Sequence, residues 1–297
     1  MRERIYHKLL LELLALFPCV ALLGVRQCGK TTMLEQLDPD WQRFDLERGS
    51  DLEVISRDPD LAKEYRLMEY IVEFIEKIIR TPKSHSYRFR RPPGFTFQAG
   101  QYMMVHLGPE QNRVHPLSLS DGPHQDFLEF TKRMTGSEYC TALESLKPGS
   151  QIKVQGPLGS FCLSQEDQAI VFITGGIGIT PIRSILVDLA QNQDQRPLVL
   201  IYGNSDAEDI AFAQELQALP LPHLHLVDVL QQPSKQAAHT GFITAEIIQM
   251  EVGEHLHNAT FFVSGPPVMV KIVEEHLASL SVEAAQIRTD HFLGYEN

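Results

Sequence analysis

Closely spaced cysteines are missing from this sequence. Its four cysteines, Cys19, Cys28, Cys140 and Cys162, form no C-x-x-C pair and no Cys/His pair. Zinc sites and four-cysteine iron–sulfur clusters need closely spaced ligands, so we predict no metal site of either kind. A few scattered cysteines are also typical of a chain in a reducing compartment, which predicts a cytoplasmic protein.

Positive charge is scarce as well. The chain has 26 lysines and arginines against 38 aspartates and glutamates, a formal net charge of −12. Proteins that bind nucleic acid need a basic surface to meet the phosphates, so we predict no nucleic-acid partner. Small anionic ligands are not excluded, because they bind in local sites.

A long uninterrupted hydrophobic run is the third absence. Residues 9–25 are mostly apolar and follow three basic residues, which is the layout of a secretory signal. Glu12 and Pro18 interrupt this run, however, and no small-x-small cleavage site follows it. We therefore predict no signal peptide, no membrane anchor and no membrane partner.

A glycine-rich turn after residue 174 is the clearest binding pattern present. Residues 170–173 predict a buried parallel strand, and a helix is predicted from Thr180, with Pro181 at its first position. The turn between them contains Gly175, Gly176 and Gly178. A strand, a glycine turn and a helix N-terminus together predict an anion site. Thr180-Pro181 stands in place of the third glycine of the ordinary dinucleotide fingerprint, and such a turn by itself is equally compatible with a structural role.

A second phosphate-binding pattern lies near the N-terminus, where residues 24–31 match G-x-x-x-x-G-K-[ST] without a mismatch. Its candidate ATP-binding residues are Gly24, Gly29, Lys30 and Thr31. Together with residues 44–47 and 50–59, the pattern resembles the N-terminus of prokaryotic AAA-type ATPases over residues 1–65. The apolar strand and acidic pair expected next are missing. We therefore expect an incomplete P-loop α/β segment, with ATP and Mg²⁺ as candidate ligands and without ATP hydrolysis.

Short β-type runs alternate with turns beyond residue 67. The runs cover residues 87–89, 95–97, 102–107, 127–132 and 151–155, with proline and glycine pairs between them. This punctuation predicts a small antiparallel barrel. Residues 67–80 are ambiguous, because their apolar spacing suits a helix and their β-branched content suits a strand.

Helices are predicted both within the barrel segment and after it. Residues 138–146 form the first, and Thr135 and Glu138 have capping-box spacing at its start, so this helix N-terminus is a second candidate to face a phosphate. Farther on, strands are predicted at 198–202, 224–229 and 260–263, with helices over 211–219 and 268–280. Parallel strands separated by helices end at one crevice, where open α/β sheets bind ligands.

The order of barrel, glycine turn and α/β half, with the segment His115-Pro116-Leu117-Ser118, resembles the ferredoxin–NADP(H) reductase family of flavoproteins over residues 67–297. The resemblance implies an α/β plus all-β fold. An antiparallel flavin-binding β-barrel would occupy residues 67–164, and an open parallel-sheet NAD(P)H-binding domain residues 165–297. It also implies FAD as the cofactor, with FMN as the alternative, and NADH or NADPH as the substrate.

The same resemblance implies which residues meet the flavin. The family motif is Arg-x-Tyr-Ser, so His115 would meet the phosphate or ribitol, Leu117 would cover the ring and Ser118 would hydrogen-bond the ring near N5. A histidine is mostly neutral at pH 7. We therefore expect Arg113, two residues earlier on the same strand face, to supply positive charge. The other flavin-binding candidates are Pro116, Lys132, Gly136 and Ser137.

Candidates for binding NAD(P)H follow from the second half of the resemblance. They are Gly175, Gly176, Gly178, Thr180, Asn204, Gly265 and Pro266. In the family the Gly-Pro turn lies beside the nicotinamide. No basic residue directly follows Asn204 to meet a 2′-phosphate, so NADH is favoured over NADPH. Tyr295 near the C-terminus is expected to shield the flavin and to be catalytic together with Ser118, unless this tail is frayed.

These patterns together predict an FAD-dependent NAD(P)H oxidoreductase. It would pass a hydride from NAD(P)H to the flavin and electrons to an unidentified acceptor, which is a small molecule or a protein. The cofactors supply the difficult chemistry, so no acid–base dyad is required. Two alternatives stay open at this point: an ATP-binding module with a regulatory or interaction role, and an electron-transfer subunit that works only when docked on a partner.

Overall fold

The computed structural model describes residues 68–108, 113–235 and 237–291. The phosphate loop predicted at residues 24–31, the rest of the ATPase-like segment and Tyr295 lie outside these residues, so their assignments stay predictions. Two six-stranded sheets follow one another in the described chain. None of the described helices is long and apolar enough to cross a membrane.

The first sheet is antiparallel and closes into a barrel. Its strands are β1 Glu69–Thr81, β2 Ser84–Arg90, β3 Tyr102–Leu107, β4 Arg113–Ser118, β5 Phe127–Arg133 and β6 Gln151–Leu158. Their order in the sheet is β4-β3-β6-β1-β2-β5. An isolated bridge between Leu119 and Phe130 brings the end of β4 to β5. The predicted antiparallel barrel is therefore confirmed.

The ambiguous segment at residues 67–80 is a strand. In β1, Val72 and Phe74 are buried, whereas Ile71 and Ile75 are 55% and 40% exposed. This alternation has the period of two that a strand requires. The β-branched content was thus the informative signal, because the helix-like spacing came from apolar residues on both faces of β1.

The strand predicted at residues 95–97 is wrong, because these residues are irregular. Phe95 and Phe97 are nonetheless buried, with ring centroids 5.9 Å apart. The Arg91 side chain donates hydrogen bonds to the Phe95 carbonyl oxygen at 3.0 and 2.9 Å. Buried aromatic rings therefore produced a strand-like pattern in a segment whose backbone is held by a side chain.

Helix α1, Glu138–Glu144, starts where predicted and ends two residues early. Its N-cap is Ser137, whose Oγ accepts a hydrogen bond from the Cys140 backbone N–H at 3.3 Å. The predicted capping box of Thr135 and Glu138 is therefore wrong. Thr135 Oγ1 instead lies 3.5 Å from Cys140 Sγ, because two residues separate it from the helix start.

The second sheet is entirely parallel, as predicted. Its strands are β7 Ala169–Gly175, β8 Leu198–Asn204, β9 Leu224–Leu230, β10 His239–Thr240, β11 Ala259–Gly265 and β12 Ile287–His291. Their order is β10-β9-β8-β7-β11-β12. Every residue of β7 is buried, as expected for a central parallel strand that is covered on both faces.

Helices cover both faces of this sheet. They are α2 Ile179–Gln191, α3 Ala213–Ala218, α4 Ala245–Val252 and α5 Pro267–Ser279. One apolar cluster joins α2 and α3 to the face of β7 that carries Ile170 and Phe172. The other joins α4 and α5 to the face that carries Val171 and Ile173. The second sheet is therefore an open three-layer α/β unit.

Three elements of the second half were missed, and the starts of α2 and α3 differ from the predicted ones. The sequence pattern did not predict α4, β10 or β12, although Thr244 caps α4 by accepting from the Ile247 N–H. Helix α2 begins at Ile179, after a 3₁₀ turn over Gly176–Gly178, so Pro181 is its third residue and not its first. Helix α3 starts later than predicted, because Phe212 has a left-handed φ of 63°.

Candidate active site

Four of the predicted flavin-binding residues line one cleft of the barrel. Strand β4 contributes Arg113 and His115, β5 contributes Lys132, and Ser137 caps α1. The cleft has a volume of about 360 Å³ and is completed by Thr135, Glu138 and Tyr139. Residues two apart on a strand share a face, which explains why the Arg113 and His115 side chains reach the same space, as predicted.

The positive charges in this cleft come from Arg113 and Lys132, and Glu138 supplies a negative one. Arg113 Nη2 lies 2.7 Å from Glu138 Oε2, and the Glu138 side chain is 82% exposed. Burial, and then the neighbouring Lys132 ammonium, lower the pKa of His115 below its ordinary value, so the imidazole is neutral at pH 7. Its ring centroid lies 4.0 Å from that of Tyr139. Burial also lowers the pKa of Lys132.

A larger cleft adjoins the first and shares two of its residues, Arg113 and Glu138. Its volume is about 800 Å³, and its lining includes Gly136, Gly108 and Ile152. Because they share these two residues, the two clefts are neighbours beside the start of α1, and the pair is called the groove from here on. Gly136 is therefore placed beside the other flavin candidates.

Three predicted flavin candidates at the end of β4 lie apart from this groove's lining. Pro116 is exposed on the outer face of the strand, and Leu117 packs in the barrel core with 7% exposure. Ser118 is 7% exposed and pairs with Tyr102 of β3. The structure does not test the contacts predicted between these residues and a flavin ring, so those contacts stay predictions.

The predicted NAD(P)H-binding residues meet at the carboxyl ends of three adjacent strands. Strand β7 lies between β8 and β11, with Gly175 beside Gly203 and Thr174 beside Ser264. The glycine turn after β7 is therefore flanked by Asn204 on one side and by Gly265 and Pro266 on the other. The predicted residues are therefore adjacent at one edge of the sheet, and a binding crevice there stays a prediction.

Close packing at the glycine turn leaves no room for a side chain at Gly178. A Cβ atom there would lie 2.5 Å from the Ser264 carbonyl oxygen and 2.7 Å from Gly265 Cα. Gly176 differs, since it has a left-handed φ of +53° and its Cβ would meet nothing within 4 Å. One glycine thus permits the approach of β11, and the other faces open space.

Hydrogen bonds hold this turn from the protein side. Tyr202 Oη donates to the Gly176 carbonyl oxygen at 2.9 Å, and Thr180 Oγ1 donates to the Ile177 carbonyl oxygen at 3.1 Å. The Thr180 side chain is thus used locally and is fully buried. Any contact of Thr180 with a ligand would come from its backbone.

Buried polar atoms without a partner mark the same crevice. The Asn204 amide and the Ser264 hydroxyl are buried and make no hydrogen bond within the described chain. Such groups usually carry a functional explanation, because leaving them unpaired is costly. Both side chains are closed off from solvent, at 6% and 0% exposure, so a ligand would meet them only where the strand ends open. Sequence reasoning named Asn204 but missed Ser264, although Ser264 directly precedes the Gly265 turn.

The described residues offer no cluster for a metal ion. No described group of three or more His, Cys, Asp and Glu side chains is placed to hold one. The two described cysteines, Cys140 and Cys162, are free thiols. The arrangement is therefore suited to organic anions, with arginine and lysine at one cleft and a glycine turn at the other.

Two family models match the chain. The Oxidoreductase FAD-binding domain matches residues 72–162, and the Oxidoreductase NAD-binding domain matches residues 172–275. The first match covers the barrel strands and α1, and the second covers the parallel sheet as far as α5.

Individual relatives agree with these matches. The chain is 26% identical over 246 residues to the terephthalate 1,2-dioxygenase reductase component 2 of Comamonas sp, covering 79% of this chain and 70% of that protein. It is 30% identical over 159 residues to the NADH-cytochrome b5 reductase 2 of Mycosarcoma maydis, covering 50% of this chain and 44% of that protein.

A solved structure shares the fold. The ferredoxin NADP⁺ reductase of Neisseria gonorrhoeae with bound FAD and NADP aligns with a TM-score of 0.67 at 20% identity. The alignment covers 76% of this chain and 99% of that one.

Proposed function

The chain belongs to the ferredoxin-reductase-type FAD- and NAD-binding oxidoreductases, and from this membership we propose how its own residues share the work. The protein is an FAD-dependent NAD(P)H oxidoreductase that passes electrons from NAD(P)H through FAD to an acceptor.

The groove across the start of α1 is the proposed FAD site. Arg113 and Lys132 would bind the phosphates through charge-assisted hydrogen bonds, with Ser137 and the backbone at Gly136 beside them. His115 is neutral and would act as a hydrogen-bonding group. The adjoining cleft of about 800 Å³ supports FAD over FMN, since it offers room for a nucleoside beyond the phosphates. Pro116, Leu117 and Ser118 would follow the flavin towards the end of β4.

The crevice between β8, β7 and β11 is the proposed NAD(P)H site, and the glycine turn after β7, with open space beside Gly176, carries this proposal. The backbone of Gly175, Gly176, Gly178 and Thr180 would meet the phosphates. Asn204 and Ser264 would hydrogen-bond the nucleotide, next to the Gly265-Pro266 turn. Asp206 follows Asn204 and accepts hydrogen bonds from the Glu208 and Asp209 N–H groups. An acidic side chain at that point supports NADH over NADPH, because it would repel a 2′-phosphate.

The protein's own part in the reaction is to bind, orient and shield. When bound, FAD supplies the redox chemistry, accepting a hydride from NAD(P)H and releasing electrons to the acceptor. Ser118 is proposed to hydrogen-bond the reactive edge of the ring, and Tyr295 to cover the ring against water. No proton donor is assigned, because hydride transfer between two cofactors needs none.

The acceptor is proposed to be a separate protein in the cytoplasm. Relatives are named as the reductase component of a terephthalate dioxygenase and as the electron transfer component of a toluate dioxygenase. The sequence has only four scattered cysteines, which do not form a ligand set for an iron–sulfur cluster. Within residues 1–297, the flavin is therefore the proposed site from which electrons leave.

An absorbance spectrum of the purified chain tests the proposal. Flavin bands that bleach on anaerobic addition of NADH are expected. Replacing Arg113 by alanine should weaken FAD binding about 10- to 100-fold, because a charge-assisted hydrogen bond is worth about 1.5–3 kcal/mol. Lys153→Ala is the control, since this lysine pairs with Glu69 on the barrel surface. A colourless chain that takes up no added FAD would refute the assignment.

A further inference from the structure

The helix that begins at the glycine turn is attached to the loop that follows the proposed flavin strand. Arg183 of α2 donates a hydrogen bond to the Ser120 carbonyl oxygen. Ser184 Oγ donates to the Asp121 carbonyl oxygen at 2.5 Å. These two carbonyl groups lie two and three residues after Ser118. A rigid helix thus joins the two cofactor sites over a few residues.

A buried ion pair strengthens this attachment. Arg183 Nη1 lies 3.3 Å from Glu129 Oε1, with side-chain exposures of 2% and 0%. Glu129 is on β5, and its backbone carbonyl accepts from the Ser120 N–H at 2.8 Å. Arg183 therefore contacts both the loop and the strand that fixes the loop.

Glu129 is shared by three arginines, of which only one comes from the α/β half. Arg80 Nη2 and Arg88 Nε lie 3.0 and 2.7 Å from Glu129 Oε2, and both belong to the barrel. Burial raises the pKa of Glu129, but the three guanidinium groups outweigh burial and lower the pKa below its ordinary value. The carboxylate is therefore ionised, and it keeps two partners when Arg183 is removed.

The other side of Arg183 is held within the α/β half. Its Nε donates to Glu215 Oε1 at 2.9 Å, and its guanidinium carbon lies 4.6 Å from the centre of the Phe212 ring. One turn farther along α2, Val187 packs against the loop, since a Cβ at Gly122 would lie 2.8 Å from Val187 Cγ1. The guanidinium is thus fixed from both halves and has little freedom to swing away.

We propose that Arg183 is a positioning residue that sets the approach of the nicotinamide to the flavin by fixing the first turns of α2 against the Ser120–Asp121 loop. This inference rests on the proposed function for the roles of Ser118 and the glycine turn. Gly178 and Arg183 are separated by just over one turn of helix, so a shift at Arg183 is transmitted to the turn. Hydride transfer is sensitive to such a shift, because a displacement of about 1 Å can cost about 100-fold in rate.

Arg183→Met tests the proposal, and Arg88→Met is its matched control. Each variant removes one guanidinium partner of the Glu129 carboxylate. Only Arg183→Met also removes a contact between the barrel and the α/β half. We expect anaerobic stopped-flow reduction of the bound flavin by NADH to slow about 10- to 100-fold in Arg183→Met and by less than about 3-fold in Arg88→Met. Flavin content and NAD⁺ affinity should stay within about 3-fold of the parent in both. Arg183→Lys should recover part of the rate, since it keeps the charge without the planar fork.

Amide hydrogen exchange on the chain stripped of flavin provides a readout independent of activity. Arg183→Met should speed exchange at the Ser120 amide and at residues 183–187 by about tenfold, whereas Arg88→Met should change only β2 and β5. Equal flavin-reduction rates in the two variants, or equal exchange patterns, would overturn the proposal. So would an Arg183→Met chain that loses flavin or protection throughout. If no variant binds flavin, the proposed function fails, and the exchange data still decide whether the link exists.

Discussion

Replacing Gly178 by alanine adds one methyl group where the structure has no space for it. The new Cβ would lie 2.5 Å from the Ser264 carbonyl oxygen, so the gap must widen by about 0.9 Å to reach an ordinary contact of 3.4 Å. All three of its nearest neighbours are backbone atoms of Ser264 and Gly265, which cannot rotate away. The glycine turn and the end of β11 must therefore separate.

The magnitude follows from two opposing effects. Gly178 has a helical φ of −57°, so alanine fits the backbone there and would by itself stabilise the fold by about 0.4–1 kcal/mol. Overpacking in a tight contact costs about 1–3 kcal/mol. We expect the clash to win, with a net loss of about 1–2 kcal/mol in the free energy of unfolding and a NADH affinity at least tenfold weaker, because the turn that holds the phosphates moves.

Urea unfolding and NADH titration of three alanine variants check this reasoning. Gly149→Ala, in the barrel, has a left-handed φ of +89° and open space around its Cβ. It should lose about 1–2 kcal/mol from backbone strain alone and bind NADH normally. Gly176→Ala carries the same kind of strain, but its methyl group enters the proposed nucleotide space, so it should also bind NADH weakly. A Gly178→Ala chain with parental stability and NADH affinity would refute the packing argument.

Two further predictions concern buried polar groups. Ser264→Ala should leave the free chain equally stable or up to about 1 kcal/mol more stable, because it removes an unpaired buried hydroxyl. Calorimetric titration should show weaker NADH binding. An unchanged NADH affinity would show that Ser264 is not part of the site. Burial raises the pKa of Asp121 to about 8 from an unperturbed 3.8. Between these two pKa values the native state keeps a proton that the unfolded state loses. The contribution of Asp121 to the free energy of unfolding is therefore fully present below about pH 4 and is lost as the pH rises through about 8. Asp121→Asn should match the parent at pH 4 and be a few kcal/mol more stable above pH 8 in thermal unfolding, and a parallel decline in both chains would contradict the assignment.

Local patterns in the sequence were sufficient for the fold class. Alternating strands with proline and glycine turns predicted the barrel, and a continuous apolar run before Gly175 predicted the central parallel strand, because both patterns reflect burial on one face or on two. The same reasoning predicted that Arg113 and His115 line one cleft, because they are two residues apart on a strand. It missed the cap of α1, where Thr135 and Ser137 are both acceptable residues and only the backbone path selects Ser137.

The sequence by itself therefore determined the order of the two sheets and the position of the glycine turn at the end of the central strand of the second sheet. The tertiary structure alone decided how the two halves are joined and which polar atoms are left without partners. Arg183 and Glu129 are 54 positions apart in the chain and carry no local pattern. They meet because α2 packs across the loop after β4. Ser264 is likewise an ordinary serine in the sequence. It becomes a candidate NAD(P)H-binding residue only because neighbouring strands bury its hydroxyl beside the glycine turn without supplying a hydrogen bond.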